Sequence, residues 1–571
     1  MKVEVEVARK KFVSDFETTT KEDDCRVWAY GCMEIGNKEN VIMGTEIEEF
    51  MGWCEKNQGD VYFHNLKFDG SFIVNWLLRN GFEHSKSGLE GTFDTIISNM
   101  GQWYMIDICY GYKGKKKKHT KIYDSLKKLP FSVSVIGKAF GLGSQKVEVE
   151  EEFYKREREV GYELTEEDRE YLYGDLEVMA DALEIQFNQG LKAMTSGSDS
   201  LKGYKEVISM KRFERLFPVL SLEDNEEIRW CYRGGFTWLN EKYAERDVGE
   251  GLVYDVNSLY PSQMYYKPLP YGLPIKFKGK YEEDKNYPLY TQHIRCEFLL
   301  RDGYIPTIQL KHQGFMFKQN EYLKSSKGEV VDLYVTNVDL ELIQEHYELY
   351  DVEYVGGWKF RSKVGMFNEF IDKWMLVKAT NKGAIRMLAK LMLNSLYGKF
   401  ATNPKVTGKV PYLKEDGSNG FELPKDEHGF VVDEFKDPVY TPVGVFITSW
   451  ARDMTIRTAQ KCYDRIIYCD TDSIHIEGTE VPEVIKDVID DNKLGYWQHE
   501  STFQRARFIR QKTYVEEIDG ELHVVCAGMP DRVKEKVTWE NFHVGFQENG
   551  KLLPKQVKGG VVLVDTMFTL K

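Results

Sequence analysis

Apolar and polar residues alternate through VEVEVARKKFVSDFETTT near the start of the chain, and DVYFHN (60 to 65) continues the habit, so both are expected as strands. GSFIVNWLLRNG changes to helical spacing and stops at Gly81. A strand is expected again in QWYMIDICYGY, followed by an acidic stretch from Glu148 to Glu159. Thr165, with Asp168 three residues on, then reads as a capping pair that opens a helix through Tyr171 and Asp175 to about Gly190. This is an α/β opening, and the small, polar TSGSDS (195 to 200) is taken as its boundary. Beyond it the pattern predicts a helix-rich connector, a strand bearing Asp255 and a long mixed region from about Lys267 to Val364. One long helical segment is expected over roughly 366 to 400, then a Gly/Pro/Asp/Glu-punctuated stretch from Asn403 to Pro438. A helix (448 to 463), a hairpin around Asp470 to Asp472 and a β-rich end complete the chain.

At 571 residues the chain exceeds the size of one hydrophobic core, which predicts two to four packed units and excludes a single small binding module. No stretch approaches ~18 consecutive apolar residues, so no membrane span is expected. The opening MKVEVEVARKKF lacks the apolar centre of a secretory signal. Nine cysteines, an odd number with no CxxC pair, read as reduced packing residues of a cytoplasmic protein. A net charge of −14 opposes a nucleic-acid partner only as an average. Between Arg361 and Phe400 there are eight Lys/Arg against only Glu369 and Asp372, the segregation that a steered groove requires. A second basic run, Lys113 and Lys115 to Lys118 with Lys121, Lys127 and Lys128, is expected as a solvated loop.

Asp15 and Glu17 are two residues apart on a strand, so their carboxylates share one face. Asp69 follows a second strand at the mouth of a helix, and Asp175 lies one turn after Tyr171. Four acids and a phenol suffice for two-metal hydrolysis of a phosphodiester: the metals activate water and stabilise the leaving oxygen, and the phenol orients the water. A second acidic set comes from Asp255 in GLVYDVNSLYPSQM and from Asp470 and Asp472 in IIYCDTDSIHI. Nucleotidyl transfer needs that delivery of carboxylates to one place. Lys378, Lys382, Arg386, Lys390 and Asn394 recur every fourth residue, which on one helix makes a phosphate-facing flank. Asn394, Ser395, Tyr397 and Gly398 add polar groups and a ring for a base.

The ordered set Asp-x-Glu, Asn-x-x-x-Asp and Tyr-x-x-x-Asp resembles the DEDD exonuclease domain of family B DNA polymerases. The resemblance implies Asp15, Glu17, Asp69 and Asp175 as metal ligands, with Tyr171 placing the water. It also implies Thr18, His64, Asn65, Phe68, Phe72, Ser125 and Leu126 as the grip on a single-stranded 3′ end, and Lys146 as the nearest candidate for a catalytic lysine. DVNSLYPSQM, KLMLNSLYGKF, YCDTDSIH and RQKTY resemble the protein-primed family B polymerases of phi29-like phages. That likeness implies Asp255 and Asp472, with the Val256 carbonyl, as ligands of catalytic Mg²⁺, two ions per site and replaceable by Mn²⁺, with Asp470 assisting. Lys378 and Lys390 are implied as triphosphate contacts, with Asn394 beside them, and Tyr260 and Tyr397 as flanks of the nucleotide, Tyr260 excluding a 2′ hydroxyl. Lys512 and Tyr514 are implied to hold the primer, and Tyr232, Gly234 and Gly235 to steer the template; Ser395 and Gly398 join the DNA contacts.

The fold implied is α/β and α+β multidomain: an RNase H-like (DEDD) exonuclease domain over 1–195, then a right-hand polymerase with two insertions. Palm is expected at 196–266 and 438–525, fingers at 366–401 and thumb at 526–571. The insertion at 267–365 is implied to dock a terminal protein, and that at 402–437 to confer processivity and strand displacement. Partners are then primer-template and single-stranded DNA, dNTPs and a terminal protein, with the chain a monomer in the host cytoplasm. The resemblance departs at one place, where only eleven residues (515 to 525) separate Tyr514 from Cys526 and the family has a longer segment. Rival readings are a nuclease whose second half only binds DNA, and a non-catalytic replication protein; intact Asp255, Asp470 and Asp472 weigh against both.

Overall fold

The computed structural model describes residues 9–144, 147, 153, 156–310 and 321–571. The first body is an eight-stranded mixed sheet. Lys11–Thr18 lies inside it, antiparallel to Val27–Glu34 and parallel to Asp60–Phe63, which in turn runs parallel to Lys116–Asp124. Period-two alternation sends Val13, Met33 and Tyr62 to one face, under the helix Glu166–Asn188. Phe12, Cys32, Val61 and Phe63 go to the other, under Ile47–Asn57 and Leu66–Arg79. The capping pair is present: Thr165 Oγ1 accepts from Asp168 N, and Asp168 Oδ2 accepts from Thr165 N. All nine cysteines are free and buried.

TSGSDS, taken as a boundary, begins a helix, with Thr195 capping Ser196–Ile208. Three expectations about the elements are corrected. The basic run is a hairpin, Trp103–Lys113 with Lys116–Asp124, and Lys128 beyond it is 1 % exposed. Its ammonium donates to the Leu191 and Ala193 carbonyls and to Asp199 Oδ2 at 2.8 Å, which ties the first body to the next. The segment 366 to 400 is two helices, Asn368–Thr380 and Gly383–Phe400. Asn381 ends the first by donating to the Val377 carbonyl, Lys382 is extended, and Gly383 has φ 56°, a left-handed value that halts helical propagation. The helix expected at 448 to 463 begins earlier, at Thr441, with Pro442 in its first turn.

The central body is a five-stranded antiparallel sheet ordered Trp497–Phe503, Gly251–Val256, Ser473–Glu477, Ile466–Asp470, Thr237–Leu239. The described residues of 267–365 form a four-stranded sheet with the helix Asn337–His346 and a core of their own. Residues 402–437 carry the ribbon Val410–Leu413 and Asn419–Glu422. The short segment after Tyr514 is a tight hairpin, Thr513–Ile518 with Glu521–Cys526, turned by Asp519 and Gly520, both at positive φ. A last hairpin, Gln547–Val557 with Gly560–Thr569, reaches back so that Val561 and Val562 are buried in the first body's core.

Lys128 and Asp199 are each 1 % exposed, so removing one strands the other in a dry interior. Lys128→Ala is expected to destabilise the protein by about 3–5 kcal/mol, the range for breaking a buried ion pair. Denaturant unfolding checks this; a loss below roughly 1 kcal/mol, as at an exposed pair, would contradict it.

Candidate active sites

The N-terminal acids converge where the strand Lys11–Thr18 meets two helices. Asp15 pairs with Gly31 across the sheet. A Cβ on Gly31 would stand 2.6 Å from Leu176, so the absent side chain lets the helix carrying Tyr171 and Asp175 settle beside Asp15. Asp69, Tyr171 and Asp175 are buried, and Asp15 and Glu17 half-buried. Burial first, then the charges of Asp15 and Glu17, hold the Asp69 carboxyl well above the usual carboxylate range. Asp69 Oδ1 has no hydrogen-bond partner among the described residues. A buried, repelled and orphaned carboxylate oxygen suits a cation.

Beside these acids, His64 is held between Ser125 Oγ (2.9 Å) and the Phe131 carbonyl (2.7 Å). Asn65 sits at φ 71° before the helix Leu66–Arg79, and Asp124 Oδ1 accepts from the backbone of Asn65 and of Leu126. Asp124 thus links the two segments, a role the sequence did not mark. Thr18, Phe68 and Leu126 are part-exposed. Phe72 is buried beneath Gly560 and touches Phe68, so it backs that ring without offering a face of its own. Lys146 lies outside the described residues.

The second set assembles in the central sheet. Asp255 is paired with Ser473, and Val256 N donates to the Asp472 carbonyl at 2.9 Å, which brings both carboxylates to one end of adjacent strands. They open on a cavity of about 810 Å³, ample for a nucleotide, lined also by Asn257, Tyr260, Lys378, Arg386, Lys390, Asn394 and Tyr397. The turn between Asp470 and Asp472 is strained: Thr471, β-branched, has φ 62°. Its N–H donates to the Phe236 carbonyl and its carbonyl accepts from Thr455. A Cβ on Gly235 would lie 2.6 Å from Thr471, so Gly235 must be glycine for the Tyr232–Gly235 loop to close on this turn. Arg452 donates to the Arg233 and Gly234 carbonyls and holds the loop from its other side.

Asp470 is engaged elsewhere. Lys512 Nζ donates to both its oxygens at 2.9 Å, Tyr468 to one at 3.1 Å and Thr237 to the other at 3.2 Å. Asp470 therefore anchors Lys512 at the edge of the site. Tyr514 stacks on Phe508 nearby.

The break between the two helices changes how the cations meet. Lys378 comes from the first, Arg386 and Lys390 from the second, and Arg386 donates to the Lys378 carbonyl at 2.8 Å. Burial, then Arg386 and Lys390, push the Lys378 ammonium below its ordinary value, and it donates to Asn257 Oδ1 at 3.2 Å. The rings of Tyr260 and Tyr397 stack at 4.0 Å. Ser395 is turned away against Ser196, while Gly398 faces open space.

Glu500 was missed. Val253 pairs with Ser501 and Tyr254 with His499, so Glu500 is the extra residue of a β-bulge, a device that re-aims a side chain. Its charge acts on both Asp255 and Asp472. Burial leads, followed by Asp472 and Glu500, in pushing Asp255 up to about 7. Asp472 is also raised, chiefly by burial. Only the break in alternation at HESTF marks the bulge.

The unfolded Asp255 carboxyl loses its proton near 3.8 and the folded one near 7, so stability falls as pH rises through that window. In metal-free protein Asp255→Asn, which imitates the protonated form, is expected to raise the thermal midpoint by more at pH 8 than at pH 5. An equal shift, or a drop at pH 8, would contradict the assignment.

A fold with two carboxylate sites, one against a sheet and helix and one under a cationic pair of helices, defines a polymerase of the B type. Residues 52–491 match the family model described as DNA polymerase type B, organellar and viral, and the chain belongs to that family. It is 62 % identical to the DNA polymerase of Bacillus phage B103, over 99 % of this chain and 100 % of that one. It is 59 % identical to that of Bacillus phage phi29 over the same share of this chain. Among solved structures, phi29 DNA polymerase complexed with primer-template DNA and incoming nucleotides matches with a TM-score of 0.94, at 59 % identity, over 99 % of this chain and 100 % of that one. The complex of that enzyme with single-stranded DNA matches with 0.93 at 58 % identity, again over 99 % and 100 %. The chain is a DNA-directed DNA polymerase with the mixed α/β, multidomain architecture expected, and its family depends on divalent metal ions. No helix among the described residues is long and apolar enough to cross a membrane.

Proposed function

We propose that this polymerase copies a viral genome from a protein primer, processively and with strand displacement, and proofreads at the site of Asp15, Glu17, Asp69 and Asp175. One observation carries the two-activity reading: each of two separate bodies gathers carboxylates, Asp69 beside Asp15 and Glu17 in one and Asp255 beside Asp472 in the other, with Asp69 and Asp255 raised first by burial and then by those like-charged neighbours. Each site takes two Mg²⁺, replaceable by Mn²⁺; bound there, such ions acidify the attacking water or 3′ hydroxyl and stabilise the leaving oxygen. Phosphate and water oxygens complete each coordination shell beside the few carboxylates the protein supplies.

At the polymerase site Asp255, Asp472 and the Val256 carbonyl face the cations. Lys378, Arg386 and Lys390 take the triphosphate, Tyr397 meets the base, and Tyr260 fills the space of a 2′ hydroxyl. Lys512, oriented by Asp470, and Tyr514 hold the primer; the loop Tyr232–Gly235 guides the template. At the exonuclease site Tyr171 orients water, while Thr18, His64, Asn65, Phe68, Ser125 and Leu126 hold an unpaired end, stacking without base readout. The phi29 enzyme's complexes with primer-template, nucleotide and single-stranded DNA support these partners. Residues 267–365 dock the terminal protein and 402–437 embrace the DNA, in a monomer working in the host cytoplasm.

Lys378→Ala is expected to weaken dNTP binding by about 1.5–3 kcal/mol, the value of a charge-assisted contact, and so by roughly ten- to a hundredfold. Pre-steady-state incorporation across dNTP concentrations checks it, and an unchanged apparent affinity would refute it. The whole reading is tested on primer-template with Mg²⁺, with and without dNTPs, alongside candidate terminal protein. Extension with dNTPs, digestion without them and deoxynucleotidylation of the protein are expected; extension without the last would remove protein priming.

A further inference from the structure

Two sheets meet behind the polymerase site. One is the five-stranded sheet that delivers Asp255 and Asp472. The other joins Asp247–Val248, Arg505–Arg510, Thr513–Ile518 and Glu521–Cys526, and the turn between its second and third strands carries Lys512. They share one apolar cluster, to which the first sheet gives Val253, Tyr468 and Phe503 and the second Val248, Ala506 and Phe508. A polar pair is set against this layer. His475 Nδ1 and Glu516 Oε1 are 2.7 Å apart, and the two side chains are only 3 % and 7 % exposed. His475 lies on Ser473–Glu477, three residues after Asp472, and pairs with Val253 on one side and Tyr468 on the other. Glu516 lies two residues after Tyr514 on Thr513–Ile518, hence on the same face of that strand.

The neighbours of this pair are the residues that aim Lys512. The His475 ring stands 5.3 Å from those of Tyr468 and Tyr514 and 5.6 Å from that of Phe508. Tyr468 Oη accepts from Lys512 N at 2.9 Å and donates to Asp470, whose carboxylate also receives the Lys512 ammonium. Lys512 itself has φ 56°, a left-handed value that a residue with a side chain disfavours, so the strands on either side must impose it. Apolar contact between the sheets has no preferred direction. A buried hydrogen bond does, because a strand that slides leaves both of its groups unpaired in a dry layer.

We propose that His475 and Glu516 are positioning residues for synthesis: their bond fixes the register of Thr513–Ile518 on the catalytic sheet and so sets where Lys512 and Tyr514 stand relative to Asp472. This rests on the reading of Lys512 and Tyr514 as the grip on the primer. Neither His475 nor Glu516 touches the reacting atoms, so the pair governs how firmly the primer end is held and not the chemical step. A primer held less firmly spends more time away from Asp255 and Asp472, and digestion gains on synthesis.

The test compares primer-template affinity, single-nucleotide incorporation at saturating DNA, single-strand digestion and the dNTP concentration at which extension overtakes digestion. Glu516→Ala is expected to weaken primer-template binding about tenfold, the worth of one buried hydrogen bond, and to raise that dNTP concentration by a similar factor. Incorporation at saturating DNA and digestion of single strands are expected to stay as they were. Glu516→Gln keeps an oxygen that accepts from Nδ1 and is expected to bind as the unaltered protein does. Glu516→Ala strands the imidazole and so lowers stability, which the double variant His475→Phe with Glu516→Leu avoids by filling the same space with apolar groups. That variant is expected to keep its thermal midpoint and still lose primer affinity. Normal affinity in the double variant, an equal loss in Glu516→Gln, or slower incorporation at saturating DNA would overturn the proposal. Lys512→Ala separates it from the reading beneath it. If Lys512→Ala binds primer-template normally, the grip itself fails; if it binds weakly while Glu516→Ala binds normally, only the role of the pair fails.

Discussion

Alanine at Asp255 or at Asp472 is expected to cut nucleotide incorporation by about 10³-fold or more while digestion of single-stranded DNA continues, because transition-state stabilisation by a bound cation is worth several kcal/mol. The two carboxylates arrive on neighbouring strands, and Val256 N is bonded to the Asp472 carbonyl, so neither can be replaced by a nearby group without moving the sheet. Glu500 is close enough to raise both, yet it sits on a bulge, and its own deletion is expected to be milder. Primer extension with intact single-strand digestion in the same preparation is the measurement. Extension that persists in either variant would defeat the assignment.

The converse variant, Asp15→Ala with Glu17→Ala, is expected to lower digestion of single strands by a comparable factor of about 10³ and to leave synthesis at its normal rate. These two residues share the strand face beneath the helix of Tyr171 and Asp175, and their charges are part of what raises Asp69. Losing both removes half of the cluster and relieves Asp69 of its repulsion, so the remaining pair holds cations poorly. Unchanged degradation would refute the site, and lost synthesis would refute its independence.

Much of this was legible in the residues because the chemistry and the elements coincide. Two-residue spacing of Asp15 and Glu17, the capping pair at Thr165 and Asp168, and the hairpin at Asp470 to Asp472 are local signals, and local hydrogen bonding realises them. The cationic helices were half legible. Regular four-residue spacing suggested one flank, but Thr380-Asn381-Lys382-Gly383 breaks the helix, and Lys378 meets Arg386 and Lys390 through a turn of the chain. Lys128 looked like one more surface lysine, since nothing in its neighbours announces that Asp199 and two carbonyls will enclose it. Asn257, Asp124 and Glu500 were invisible for the same reason: each matters through a partner distant in sequence. Asn257 receives Lys378, Asp124 joins Asn65 to Leu126, and Glu500 is aimed by a bulge.

The most direct test is a crystal of the protein grown with Mn²⁺, a single strand and a non-extendable primer-template with dNTP, measured at the manganese absorption edge. Two well-separated groups of anomalous peaks are expected, one touching Asp255 and Asp472 and the other touching Asp15, Glu17, Asp69 and Asp175. Manganese at only one group, or bound to neither set of carboxylates, would contradict the account.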